Sequence, residues 1–151
     1  VRHHNIKYGG QFPIWVAVEL FTFGMLGSLF DLMRENDQRA VSREYNLAPE
    51  SLSRLIASAV DVRNICAHYN RLYNRVLDDQ PLLPNRLRLY ESDRLFPLLL
   101  AFAHILGRER VLNRLITGLS LLEADFPEAD LSLCGFPEDW HSILETEAAQ
   151  S

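Results

Sequence analysis

Thirteen residues, RNICAHYNRLYNR at positions 63–75, hold the side chains best suited to chemistry. Arg63, His68, Arg71 and Arg75 stand there with Asn64, Asn70 and Asn74. A guanidinium brings fixed positive charge and a forked donor that matches phosphate oxygens. An imidazole exchanges a proton near neutral pH. An Asn amide donates and accepts without changing charge. No carboxylate lies between Asn64 and Val76, so this stretch lacks the oxygen ligands of a hard metal ion. Cys66 and His68 are two apart, on nearly opposite faces of a helix, which is poor geometry for a Cys–His nucleophile pair. The set suits an anionic substrate handled by proton transfer and charge stabilisation, with no metal and no cofactor. RNA fits that description, because its own 2′-hydroxyl can act as the nucleophile.

The element that carries this set starts upstream. Pro49 suits the first turn of a helix, and Leu52, Leu55, Ile56, Ala59 and Val62 recur at three- and four-residue steps. The period predicts that the same helix runs on through the motif. It would then hold a polar row of Asn64, His68, Arg71 and Arg75, an adjacent row of Arg63, Ala67, Asn70 and Asn74, and an apolar row of Ile65, Tyr69, Leu72 and Val76. Tyr69 is therefore expected in the core; if exposed, it could stack on a base. Arg63 and His68 diverge by about 140° on a straight helix. They meet at one groove only if the helix bends or a second copy of the chain joins it.

Around this helix the pattern is helical throughout, with no alternating strand signature. Residues 12–33, FPIWVAVELFTFGMLGSLFDLM, predict a helix apolar on nearly all sides, with Pro13 in its first turn. Glu19, Gly24, Gly27 and Asp31 favour a buried core helix, placed centrally or at a subunit interface, over a membrane span. A short helix is expected around Gln38–Tyr45, and a loop over 78–92. Ser92 is a candidate cap for the helix LFPLLLAFAHIL, with Pro97 in its first turns, and Gly107 breaks or bends the chain. The next helix presents Val111, Leu112, Leu115, Ile116, Leu119 and Leu122 on one side and ends at Pro127. Residues 128–142 read mostly as loop, with a short helix after Pro137. The expectation is all-α: a compact bundle of about five helices in one domain over residues 1–151.

The chain has 151 residues and a formal net charge of −5, unevenly spread. Every Lys and Arg lies at or before Arg114, and eight acidic residues follow it. The body is thus mildly basic and the tail acidic, and the tail could cover the basic strip when RNA is absent. Arg outnumbers Lys 14 to 1. Cys66 and Cys134 form no CxxC pair and read as reduced thiols. His3 and His4 read as surface or interface residues, and His104 as a satisfied core residue. Trp15 reads as core, and Trp140 as an anchor for the tail.

Three blocks together resemble a known family. RNICAHYNRLYNR resembles the RN–x3–H core and R–x–x–N–R extension of the Abi-like proteins, bacterial abortive-infection proteins of the AbiD/AbiF type. PIWVAVELFTFGMLGSLF resembles that family's P-I-W, Glu, F-G helix, and GFPEDW at 135–140 its G-F-P-x-x-W ending. The family usually has a further N-terminal segment, and this chain is expected to begin after it. The resemblance implies a HEPN-type helical domain, in which an R-x4-6-H motif often marks a metal-independent endoribonuclease of phage-defence or toxin systems. Carried over, Arg63 and His68 are the motif pair and Asn64 the polar residue after the Arg. Asn70, Arg71, Arg75 and Tyr69 would contact the RNA. HEPN domains commonly dimerise around one cleft, so the expected partners are RNA, a second copy completing the site, and an antitoxin or non-coding RNA, in the bacterial cytoplasm and without a membrane. Three readings stay open: a nuclease, an RNA- or protein-binding domain without cleavage, and a structural domain whose polar strip seals a symmetric dimer.

Overall fold

LFPLLLAFAHIL carries a single ionisable side chain and becomes the centre of the fold. In the computed structural model, which describes residues 21–106 and 109–149 together with Ile6, Gly9 and Val18, it forms a helix at Leu95–Leu106. Phe96, Leu98, Leu100, Ala101 and Ala103 of this helix are buried, each large side chain contributing about 1.5–3 kcal/mol relative to exposure. In chain order the α-helices are α1 (Phe23–Asp31), α2 (Glu35–Arg43), α3 (Pro49–Ala67), α4 (Leu95–Leu106), α5 (Glu109–Asp125) and α6 (Trp140–Ala149). Two 3-10 segments, Asn85–Tyr90 and Leu131–Cys134, complete the regular structure, and no strand occurs among the described residues. The fold is all-α, as the pattern predicts.

α4 packs against α3 and α6, α6 also against α5, and α3 against α1 and α2. The core joins Leu55 of α3, Leu112 of α5 and Leu144 of α6 to α4, with Leu83 and Leu87 from the connection before it. An aromatic series, Tyr90–Phe96–Phe136–Trp140, crosses this core with ring centroids 5.0–6.0 Å apart. Trp140 does anchor the tail, since its ring is buried. Gly135 has φ +84°, and a Cβ there would lie 2.7 Å from the Cβ of Arg94, so only glycine fits.

Local chemistry sets the helix ends. Thr22 caps α1, its Oγ1 accepting from Met25 N–H at 3.3 Å. Gln38 Nε2 reaches back from α2 to donate to the carbonyls of Phe30 and Asp31 at the end of α1. α2 ends with Asn46 at φ 54°, where Leu47 N–H returns to Ser42 O at 3.0 Å. Pro49 opens α3, and Pro97 lies in the first turn of α4.

Several expectations are corrected. The centre is taken by α4; the described part of the 12–33 stretch, α1, buries only Phe30 and leaves Phe23 and Met25 exposed, as the subunit-interface alternative allows. Its inner face is glycine instead: a Cβ on Gly27 would stand 3.0 Å from Ile56 Cγ2, so the small residues let α3 approach. The helix expected at Gln38–Tyr45 spans Glu35–Arg43. Ser92 does not cap α4; it lies three residues ahead, and its buried hydroxyl has no hydrogen-bond partner among the described residues. Leu122 is exposed, because ten residues after buried Leu112 it has rotated about 80° off the inner face. At the acidic end of the chain α6 packs inward, with Leu144 in the core and Glu147 buried, while Asp130 meets Tyr73 of the motif through its backbone. Pro13, Trp15, Glu19, His3, His4, Gly107 and the Val111 side chain lie outside the described residues. Among those described, no helix is long and apolar enough to cross a membrane.

Candidate functional site

α3 holds Arg63 and Asn64 in its last turns and stops at Ala67. Three hydrogen bonds close the end: His68 N–H to Asn64 O at 3.0 Å, Tyr69 N–H to Cys66 O at 3.1 Å, and Asn70 N–H to Ile65 O at 3.0 Å. Tyr69 has φ +55°. This is a Schellman end, with a tyrosine where glycine usually supplies the left-handed conformation. The helix therefore does not run through the motif, and the expected rows beyond Ala67 do not form. Tyr69 leaves the apolar row altogether and is 98 % exposed.

Tertiary bonds explain the stop. The Tyr73 hydroxyl donates to Asp130 O at 3.2 Å and accepts from Asp130 N–H at 3.0 Å. Asn74, at φ 54°, accepts from Arg94 Nη1 at its side-chain Oδ1 (2.9 Å), and its N–H meets Cys134 Sγ at 3.4 Å. Leu77 is buried, and its N–H donates to Asp93 O at 2.8 Å. A continued helix would forfeit all of these, and Asn is a modest helix former. Asn74 is thus a strap residue holding the loop to the C-terminal half.

Arg63, His68, Tyr69, Asn70, Arg71 and Arg75 are exposed, and Asn64 is half-buried. Arg63 Nη1 donates to Asn64 Oδ1 at 2.8 Å, so Asn64 orients the guanidinium. No hydrogen bond joins Arg63 to His68 among the described residues. His68 is the C-cap, with φ −95° and ψ 14° outside the α-helical region, and its N–H keeps the bond to Asn64 O. Ideal helix geometry up to that cap sets Arg63 and His68 about 140° apart. His68, Tyr69, Asn70, Arg71 and Arg75 make no side-chain hydrogen bond to described residues, which leaves a row of polar and aromatic groups facing outward.

The family model described as Abi-like protein matches residues 1–74. Over this stretch the chain is similar to the Abi-like family. The match takes in Arg63, Asn64, His68, Tyr69, Asn70 and Arg71 and ends one residue short of Arg75; the GFPEDW block lies beyond it. No curated protein and no solved structure matches the chain.

Next to Asn64 the Abi-like segment contributes to a groove of about 360 Å3 that charge counting does not reveal. Gly24, Gly27 and Asp31 of α1, Ser53, Val60 and Asp61 of α3, and Asp78 and Asp79 of the loop line it. Ser53 Oγ donates to Asp31 Oδ1 at 2.6 Å. Four carboxylates make this side repellent to a phosphate chain. Among the described residues no group of three or more His, Cys, Asp or Glu could hold a metal ion.

Two other polar clusters are structural. The Arg86 guanidinium forks onto both carboxylate oxygens of buried Glu147 and donates to His104 Nδ1 at 3.2 Å. The Glu147 hydrogen bond raises the Arg86 pKa; burial, then the nearby Arg86 charge, lowers that of His104 below the ordinary imidazole value. Ser120 Oγ lies 3.0 Å from His141 Nε2, yet its hydroxyl donates to Ile116 O at 2.9 Å, so this pair is no activated nucleophile.

Proposed function

We propose that the chain is a HEPN-type, metal-independent endoribonuclease acting in bacterial abortive infection or a related toxin system. The observation that carries this reading is the exposed end of α3, within the Abi-like match. There Arg63 and Asn64 form a bonded donor pair, and His68 stands open to a substrate. Arg63 binds the scissile phosphate, and Asn64 holds Arg63 in place. A 2′-hydroxyl attacks the adjacent phosphorus and the bond to O5′ breaks, leaving a 2′,3′-cyclic phosphate and a 5′-hydroxyl. His68 moves protons in this exchange, taking that of the attacking hydroxyl or supplying one to O5′. Asn70, Arg71, Arg75 and Tyr69 contact the flanking nucleotides.

The divergence of Arg63 and His68 supports a site completed by a second copy, in which the Arg of one protomer and the His of its partner act on one phosphate. The same divergence favours a second reading if the chain acts alone: RNA binding without cleavage, on the same exposed loop. An antitoxin or a non-coding RNA would restrain the active form in the bacterial cytoplasm. The test is cleavage of labelled RNA in excess chelator by wild type, Arg63→Ala and His68→Ala. The nuclease reading expects both variants to fall by at least about 100-fold. Equal rates in all three overturn it, and salt-sensitive binding without product selects the second reading.

A further inference from the structure

Tyr69 is costly where it stands. A tyrosine at φ +55° occupies a conformation that L residues avoid, and glycine or asparagine there would relieve the strain. Its side chain returns nothing to the fold, being 98 % exposed and without a hydrogen bond to described residues. The strain is nevertheless held firmly. Two backbone bonds fix the turn, and the Tyr73, Asn74 and Leu77 bonds fix the loop that follows. Strain kept in place with no structural return is characteristic of functional positions. An aromatic face on a rigid support, one residue after His68 and two before Arg71, matches a platform for a nucleobase.

The surrounding charge gives the strand a direction. The groove rimmed by Asn64 is walled by Asp31, Asp61, Asp78 and Asp79, so a phosphate chain is repelled on that side. After His68 in the chain come Tyr69, Asn70, Arg71 and Arg75, all exposed and none of them lining that groove. We propose that Tyr69 stacks on an unpaired base next to the scissile phosphate and makes the site selective for single-stranded over duplex RNA. The strand then leaves over Arg71 and Arg75. A base in a duplex has both faces covered by its neighbours and cannot use this platform. This inference rests on the reading of the α3 end as an RNA site and deepens it.

The experiment uses His68→Ala as background, so that RNA stays intact, and measures binding of one labelled oligoribonucleotide, single-stranded or in a blunt duplex. Tyr69→Gly is the informative variant, because glycine relieves the backbone strain while deleting the ring. It is expected to melt no lower than its parent, yet to bind the single strand about tenfold more weakly, with duplex binding unchanged. Tyr69→Trp is expected to keep the single-strand affinity. Unchanged single-strand binding in Tyr69→Gly, or equal loss on both RNAs, overturns the inference. The nuclease reading is scored separately, by cleavage with His68 intact. Cleavage that needs His68 alongside unchanged Tyr69→Gly binding sinks this inference alone. A stacking effect without any cleavage sinks only the nuclease.

Discussion

Single residues carry the sharpest commitments of this structure, and two of them concern left-handed backbone. Tyr69 and Gly135 both sit at positive φ, with opposite consequences on substitution. Tyr69→Gly removes strain without removing a packed side chain, so denaturant unfolding is expected to show about 1 kcal/mol of added stability. Gly135→Ala adds strain and drives a Cβ to within 2.7 Å of Arg94. It is expected to lose about 3 kcal/mol by the same measurement. Asn64 is a positioning residue in this account, since it touches the Arg63 guanidinium. Asn64→Ala should weaken phosphate binding more than it slows proton transfer, raising KM with a smaller change in kcat.

At the scale of elements, α6 ties the acidic end of the chain to its middle. Arg86 precedes α4, His104 is on α4 and Glu147 on α6, so one cluster joins three segments. Arg86→Ala deprives buried Glu147 of its forked guanidinium partner. Because Arg86 is itself nearly half exposed, the expected loss is about 2 kcal/mol, below that of a fully buried pair. Sequence pattern made most elements legible: the step of Leu52, Leu55 and Ala59 marked α3, Pro49 its start, and the unbroken apolar run marked α4. Two things were not legible. The end of α3 falls at Tyr69 because Tyr73, Asn74 and Leu77 find partners at Asp130, Arg94, Cys134 and Asp93, and no local rule anticipates such distant bonds. The second is the burial of Leu144 within an acidic tail, visible only once α4 is in place. Arg63 and His68 are candidates by residue type and spacing, whereas the acidic groove that Asn64 borders arises from four Asp residues brought together only by folding.

For the whole molecule, pH should act on stability through His104. Burial and the Arg86 charge hold its folded pKa below the ordinary imidazole value of 6.5, so the unfolded chain binds the proton more readily. Stability is therefore greatest above that value and falls as pH drops below it through the folded pKa, levelling off beneath. Unfolding free energies compared between about pH 7.5 and pH 5 should show this decline, and His104→Gln should flatten it. Charge is also divided across the molecule: acid is concentrated after Arg114 and in the α1–α3 groove, and Arg63, Arg71 and Arg75 lie within eight residues of His68 in the chain. In the proposed reading that division would let a chain of negative net charge take up RNA, since the local field and not the total steers a phosphate chain. The central claim is that the α3 end cleaves RNA, and the most direct measurement is RNA cleavage in chelator by equimolar mixtures of Arg63→Ala and His68→Ala. If a second copy completes the site, each variant alone is inactive. Heterodimers that pair the intact Arg63 of one chain with the intact His68 of the other then restore up to about a quarter of the wild-type rate, since half of the dimers are mixed and each keeps one of its two symmetric sites. A mixture as inactive as its components contradicts the shared site, and full activity of either variant alone contradicts the nuclease itself.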